Sequence, residues 1–198
     1  MFNVILDELP ETVEINGREY PIITDFKSWL EFTRILSRRD VDEFDVIEAL
    51  ETVFDEIPNE EPAEMIRVLI GFLRAERPKD RKPDEPVLMR DIAEEQPAEP
   101  QIVDYDHDAA YIYAAFVQEY GINLITDKLH WFEFMALFSG LSKHCRITEI
   151  MGYRAVSDSE YSKMSKSEKA HIRKMKKVHA LPDNRTAEEI ENEFANSL

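Results

Sequence analysis

The sequence predicts a mainly α-helical protein, one or more helical bundles preceded by a small N-terminal β-hairpin, and three features carry that prediction. Apolar residues recur at spacings of three and four through most of the chain. Helix-opening residues, Asp or a Ser or Thr followed by Glu, stand ahead of several of those runs. Near the N-terminus an Asn-Gly pair separates two short alternating stretches instead.

The first 24 residues read as strands: Val4-Ile5-Leu6, then Thr12-Val13-Glu14-Ile15, then Asn16-Gly17, then Arg18-Glu19-Tyr20-Pro21-Ile22. Both turn positions of a type I′ hairpin need positive φ, which Asn and Gly tolerate. Pro21 has no N–H to give a ladder, so the second strand is an edge or ends there. Asp25 then caps a helix carrying Phe26, Trp29, Leu30, Phe32, Thr33 and Leu36, closed by the basic Ser37-Arg38-Arg39. A second helix opens at Asp42 or Asp45 with Phe44, Ile47, Leu50, Val53, Phe54 and Ile57 on one stripe, and Pro58 stops it. A third starts near Pro62, which a first turn tolerates, and carries Met65, Ile66, Val68, Leu69, Phe72 and Leu73 to about Glu76. Successive amphipathic helices bury their stripes most simply against one another, as a bundle.

Residues 78–103 change character, with Pro78, Pro83, Pro86, Pro97 and Pro100 spread among charges, and read as a linker holding at most a brief helix from Met89 to Glu95. The expected organisation is therefore a hairpin and acidic bundle over 1–77, this linker, a C-terminal helical domain over 104–181 and a terminal acidic helix over 182–198. Asp104-Tyr105-Asp106-His107-Asp108 caps a helix through Ala109, Ile112, Tyr113, Phe116, Val117 and Tyr120, and Gly121 ends it. Thr126 or Asp127 caps the strongly apolar run Leu129 to Phe138, closed by Gly140 and Ser142. A short helix from Arg146 to Tyr153 follows, with Ile147, Ile150 and Met151 inward. Ser165-x-x-Glu168 opens a basic helix to about Ala180, and Thr186 opens the terminal one.

Charge excludes some partners. The net charge of −17 disfavours nucleic acid, because phosphate binding depends on Lys and Arg displacing counterions. The acidity is concentrated: residues 1–104 carry 27 acids and 12 bases, residues 105–198 carry 14 and 12. No apolar run reaches the length of a membrane span, and the N-terminus lacks the basic start and apolar stretch of a secretory signal, so a cytoplasmic protein with no membrane partner is expected. One cysteine, Cys145, rules out an internal disulfide and a thiolate zinc cluster.

Each candidate for chemistry has a plainer reading. Asp104, Asp106, His107 and Asp108 crowd together as hard-cation ligands do, but without the glycine and terminal glutamate of a calcium loop they read as a capping turn. Cys145 beside His144 lacks a partner acid, and neighbours on a helix point apart, so a partly buried thiol is expected and not a nucleophile. The five glycines form no phosphate-cradling loop. Paired acids such as Glu60-Glu61 and Glu188-Glu189 read as solvated helix faces. No catalytic residue, metal or cofactor is expected. Trp131, Phe134 and Phe138 form an aromatic stripe that is either core or a partner-binding surface. Lys163, Lys166, Lys169, Arg173, Lys174, Lys176 and Lys177 face only Glu168 as a local acid. That helix could touch nucleic acid, dock on the acidic half of this or another copy, or be a solvated face with Ile172, Met175 and Val178 packed inward.

The run Asp106-His107-Asp108-Ala109-Ala110-Tyr111-Ile112-Tyr113-Ala114-Ala115-Phe116 with Gln118-Glu119-Tyr120-Gly121-Ile122 resembles the bacteriophage gene-product-fifteen family. So do Leu129-His130-Trp131-Phe132-Glu133-Phe134, Glu149-Ile150-Met151-Gly152-Tyr153-Arg154, and the stretch Met164 to Lys169 with Ile172 to Lys176. Gly17-x-x-Tyr20-Pro21-Ile22 and the helix from Asp25 to Leu36 fit the family's opening. The resemblance implies a protein of the siphophage tail module, encoded just ahead of the tape-measure protein and without catalytic residues. By that gene position it implies a tail assembly chaperone working in the cytoplasm of an infected or lysogenic host. Its partners would be the tape-measure protein and the tail-tube protein; read from the residues themselves, self-association would join the basic helix to the acidic half of another copy, and partner contact would fall on Trp131, Phe134, Phe138, Lys166, Lys169, Arg173, Lys174 and Lys177. The alternative is a structural tail or head–tail completion component retained in the virion.

Overall fold

A computed structural model of the chain describes residues 8–38, 40–74 and 101–182. The expected strand at Val4–Leu6, nearly all of the linker with its brief helix, and the terminal acidic helix lie outside the described residues. The described residues are mainly helical with a two-stranded hairpin, and they form two compact units: those up to residue 74 with 116–141, and 101–115 with 142–182. The division cuts across the one expected at the linker, because residues 116–141 cluster with the N-terminal segment and not with the rest of the second half.

In the first unit, β1 (Thr12–Ile15) and β2 (Arg18–Pro21) pair antiparallel, with Thr12 opposite Pro21 and Ile15 opposite Arg18. Asn16 and Gly17 make the turn at φ of 51° and 78°, the positive angles that a two-residue hairpin requires. Pro21 sits at the strand's end, and Val13 and Ile15 point into the core while Thr12 and Glu14 face water.

Helix α1 (Phe26–Leu36) starts where the Asp25 carboxylate accepts the Lys27 N–H, and it buries Phe26, Trp29, Phe32 and Ile35. Helix α2 (Glu43–Val53) opens on a reciprocal cap between Asp42 and Asp45, and Arg38 reaches from the end of α1 to Asp45 at 2.7 Å and to Glu48. Its buried face is Val46, Ala49, Leu50 and Val53, so the expected stripe was rotated: Phe44 is 81% exposed and Ile47 47%. Both faces of α2 carry apolar residues, and periodicity alone cannot choose between them. Helix α3 (Pro62–Leu73), with proline in its first turn, packs on β1 and α2 through Met65, Ile66, Val68, Leu69 and Phe72.

Helix α4 (Ala109–Tyr120) ends at Gly121, whose φ of +68° is the left-handed closure read from the sequence. Helix α5 (Trp131–Ser139) begins later than the apolar run suggested, and its cap is neither Thr126 nor Asp127, which belong to a separate turn with Asn123. The cause is non-local: Trp131 N–H donates to Thr24 O at 2.7 Å and Phe26 N–H to Leu129 O at 3.0 Å, holding Leu129 and His130 extended beside Asp25. His130 then caps α5 through Nδ1, which accepts the Phe132 N–H, while Glu133 accepts the His130 N–H. With Nδ1 an acceptor, the ring proton is on Nε2, which donates to Pro10 O at 3.0 Å.

The second unit holds α6 (Arg146–Ala155), α7 (Asp158–Lys163) and α8 (Lys166–Val178). Ser157 with Glu160 and Ser165 with Glu168 are paired caps of the same kind; the second was expected, and the short α7 was not. Ile147, Ile150 and Cys145 are buried here.

Candidate partner-binding surfaces

The aromatic stripe is core. Trp131 is 2% exposed, Phe134 0% and Phe138 9%. Phe134 stacks on Phe26 at 4.8 Å and on Phe116 at 5.3 Å, and Trp29 stacks on Phe72 at 4.5 Å, which in turn lies 4.6 Å from Phe132. Each indole has a partner for its N–H: Trp29 donates to Ile23 O and Trp131 to Leu73 O. Rings of this size buried together stabilise by area and by offset stacking, and they have no face left for a partner. The aromatic half of the expected surface is therefore corrected: Trp131, Phe134 and Phe138 hold the first unit together.

The basic half of that surface is on the outside. Helix α8 has no fully buried residue; Ile172 and Met175 are half-buried, as the amphipathic reading required, but Val178 is 61% exposed. Three of its bases are engaged within the unit. Lys169 Nζ donates to Ser162 O at 2.8 Å and lies over the Tyr161 ring, Arg173 donates to the Tyr161 hydroxyl at 3.2 Å, and Lys176 donates to Val156 O. Tyr161, Lys166, Lys169, Ala170 and Arg173 line a shallow open groove between α7 and α8. Lys174 and Lys177 are exposed.

What positions α8 is a buried clasp that composition did not reveal. Arg154 of α6, 7% exposed, donates to both carboxylate oxygens of Asp108, at 2.5 and 2.9 Å, to His179 O at 2.7 Å and to Ile102 O at 3.0 Å. One guanidinium thus joins the start of α4, the segment before it and the end of α8, using the fixed fork of donors that only arginine supplies. Burial pushes the Asp108 carboxyl up, but Arg154 and the Asp104 backbone N–H outweigh it and hold the group below its ordinary value. Asp104 itself accepts the N–H groups of Asp106 and His107, so the acidic pentad is a capped turn whose last member carries a structural charge. A pentapeptide cannot show which of four acidic or basic side chains is buried; the signal was Arg154, far along the chain, and it was visible only as part of the family resemblance.

His179 closes the clasp. Desolvation first, then Arg146 and Arg154, lower its pKa from the ordinary histidine value. Arg146 Nη2 lies 3.1 Å from His179 Nε2, and because a guanidinium only donates, Nε2 is the unprotonated acceptor of a neutral ring. Tyr153 stacks on it nearly parallel.

Neither a metal nor a nucleophile site emerges among the described residues. No group of three or more His, Cys, Asp or Glu there is placed to hold a metal ion, and Cys145 is a buried thiol with Ser142 Oγ at 3.8 Å. No helix of the described residues is long and apolar enough to cross a membrane. No curated protein and no solved structure matches the chain. The profile of the family described as Bacteriophage Gp15 protein does match, over residues 5–181, which takes in both units and every surface described above. That family points to a structural or assembly role in the phage and is not known as catalytic. With a match over most of its length, the chain belongs to the Bacteriophage Gp15 protein family and is of bacteriophage origin.

Proposed function

We propose that this protein is a tail assembly chaperone that binds the tape-measure protein during tail morphogenesis, without catalysis, in the cytoplasm of the infected or lysogenic host. The observation that supports the reading is the family match over residues 5–181; a gene position just ahead of the tape-measure protein is what the resemblance implies. Physical character supports it. A tape-measure chain is long and largely helical and must be kept soluble until the tube assembles around it. A helical binder of net charge −17 discourages aggregation of what it covers. The groove lined by Tyr161, Lys166, Lys169 and Arg173 is the surface assigned to that partner: an aromatic ring flanked by cations suits the acidic edge of an amphipathic helix.

Co-expression with the adjacent tape-measure protein tests this directly. The expected result is a soluble complex that co-purifies and is weakened by Lys166→Glu with Arg173→Glu. An insoluble tape-measure protein with no complex rejects the reading. Stoichiometric peptides of this chain in purified virions would favour a structural tail or head–tail completion component instead, because a chaperone leaves the finished particle.

A further inference from the structure

Two exposed helix faces of this chain complement each other. On α2, Glu43, Phe44, Ile47, Glu48 and Glu51 are all exposed and fall on one side at helical spacing. Phe44 is 81% exposed, more than any other large apolar side chain among the described residues. The face is thus an apolar pair bordered by carboxylates. Glu48 is partly neutralised by Arg38, but Glu43 and Glu51 point outward with no base beside them on α2, which has none in its sequence. On α8, Ala170, His171, Lys174, Lys177 and Val178 are exposed on one side at the same spacing, with Lys174 between Ala170 and Val178 and Lys177 beside Val178. The faces match in length, about two turns each, and in opposite charge, and each carries exposed apolar side chains.

We propose that this protein self-associates by laying the Lys174/Lys177/Val178 face of α8 from one copy on the Phe44/Ile47 face of α2 in a second copy. The contact buries Phe44, otherwise left in water, against Val178, and seats Lys174 and Lys177 among Glu43, Glu48 and Glu51. Helix-on-helix docking with apolar anchors and a charged rim is a common mode of recognition, in which the anchors supply affinity and the rim supplies register. Local complementarity is needed here because copies each carrying a net charge of −17 repel one another everywhere else. The contact is heterologous, so it propagates from copy to copy unless two copies satisfy each other reciprocally. The groove at Tyr161 shares Ala170 with this face but draws its charges from Lys166, Lys169 and Arg173, so substitutions at Lys166 and Arg173 and those at Lys174 and Lys177 test the two readings separately.

Sedimentation of the full-length chain alone, over a wide concentration range at physiological ionic strength, tests the proposal. A concentration-dependent mass above the monomer is expected. Phe44→Ser, a change at an exposed site, should weaken association by about tenfold or more while leaving helix content unchanged. The swaps Glu43→Lys with Glu51→Lys, and Lys174→Glu with Lys177→Glu, should each abolish most of it, and a mixture of the two swapped proteins should associate again through the restored pairing. A chain that stays monomeric throughout overturns the proposal. So does association that survives both swaps, or swapped proteins that ignore each other when mixed.

Discussion

Replacing Arg154 by methionine keeps most of the side chain's volume and removes its charge and all four hydrogen bonds, two to Asp108 and one each to His179 O and Ile102 O. Asp108 is 0% exposed and would be left as a carboxylate without its counter-ion. Breaking a buried ion pair from one side costs about 3–5 kcal/mol, because the stranded charge has lost its solvation and gained nothing in return. That is a large share of the roughly 5–15 kcal/mol that holds an ordinary domain. Hydrogen exchange read by mass spectrometry on peptides from α6 and α8 is the suitable assay, since it reports on this unit whatever the remainder of the chain does. Protection there should fall by roughly 150- to 5,000-fold, the range that 3–5 kcal/mol converts to. Adding Asp108→Leu to Arg154→Met removes the stranded charge and should recover part of the loss. Protection in Arg154→Met within about fivefold of the parent, equivalent to about 1 kcal/mol, would falsify the assignment of the clasp as the element that organises the second unit.

Three further outcomes are expected. Trp131→Ala should destabilise the first unit by about 3–5 kcal/mol in a urea titration followed by Trp29 fluorescence, whereas Phe44→Ser should stay within about 0.5 kcal/mol; the reverse order would place the binding face where the core has been put. Acidification should loosen the second unit in two stages. His179 has a folded pKa below its unfolded value, so the unfolded chain takes the proton more readily, and stability present above about pH 6.5 declines as pH falls through that value. Asp108, also lowered, contributes stability above the ordinary carboxyl range that is lost as pH falls below about 4 through its folded value. His179→Gln keeps an acceptor for Arg146 and should flatten the first decline in a melting-temperature series; an unchanged profile would exclude His179 as its source. Gly17→Ala and Gly121→Ala each force a Cβ into positive φ, with nothing within 4 Å to clash, so thermal melts should show a loss of about 1 kcal/mol each from backbone strain alone.

Local chemistry made much of the fold legible. The hairpin turn at Asn16-Gly17, the proline in the first turn of α3, the Ser165–Glu168 cap and the glycine closing α4 all depend on neighbours a few residues apart, and the sequence by itself determined them. It also determined the family, because that rests on side chains in order and not on their placement. Tertiary structure decided what long-range partners decide. Which face of α2 is buried depended on what α1 and α3 offered, so Phe44 and Ile47 moved from core to surface. Where α5 begins depended on a bridge to Asp25, more than a hundred residues earlier in the chain. Whether Trp131, Phe134 and Phe138 meet a partner or one another depended on Phe26, Trp29 and Phe72 arriving beside them. Asp108 and Arg154 are ordinary charged residues until folding removes both from water, and a charge's cost and use are set by that removal, which no spacing along the chain records.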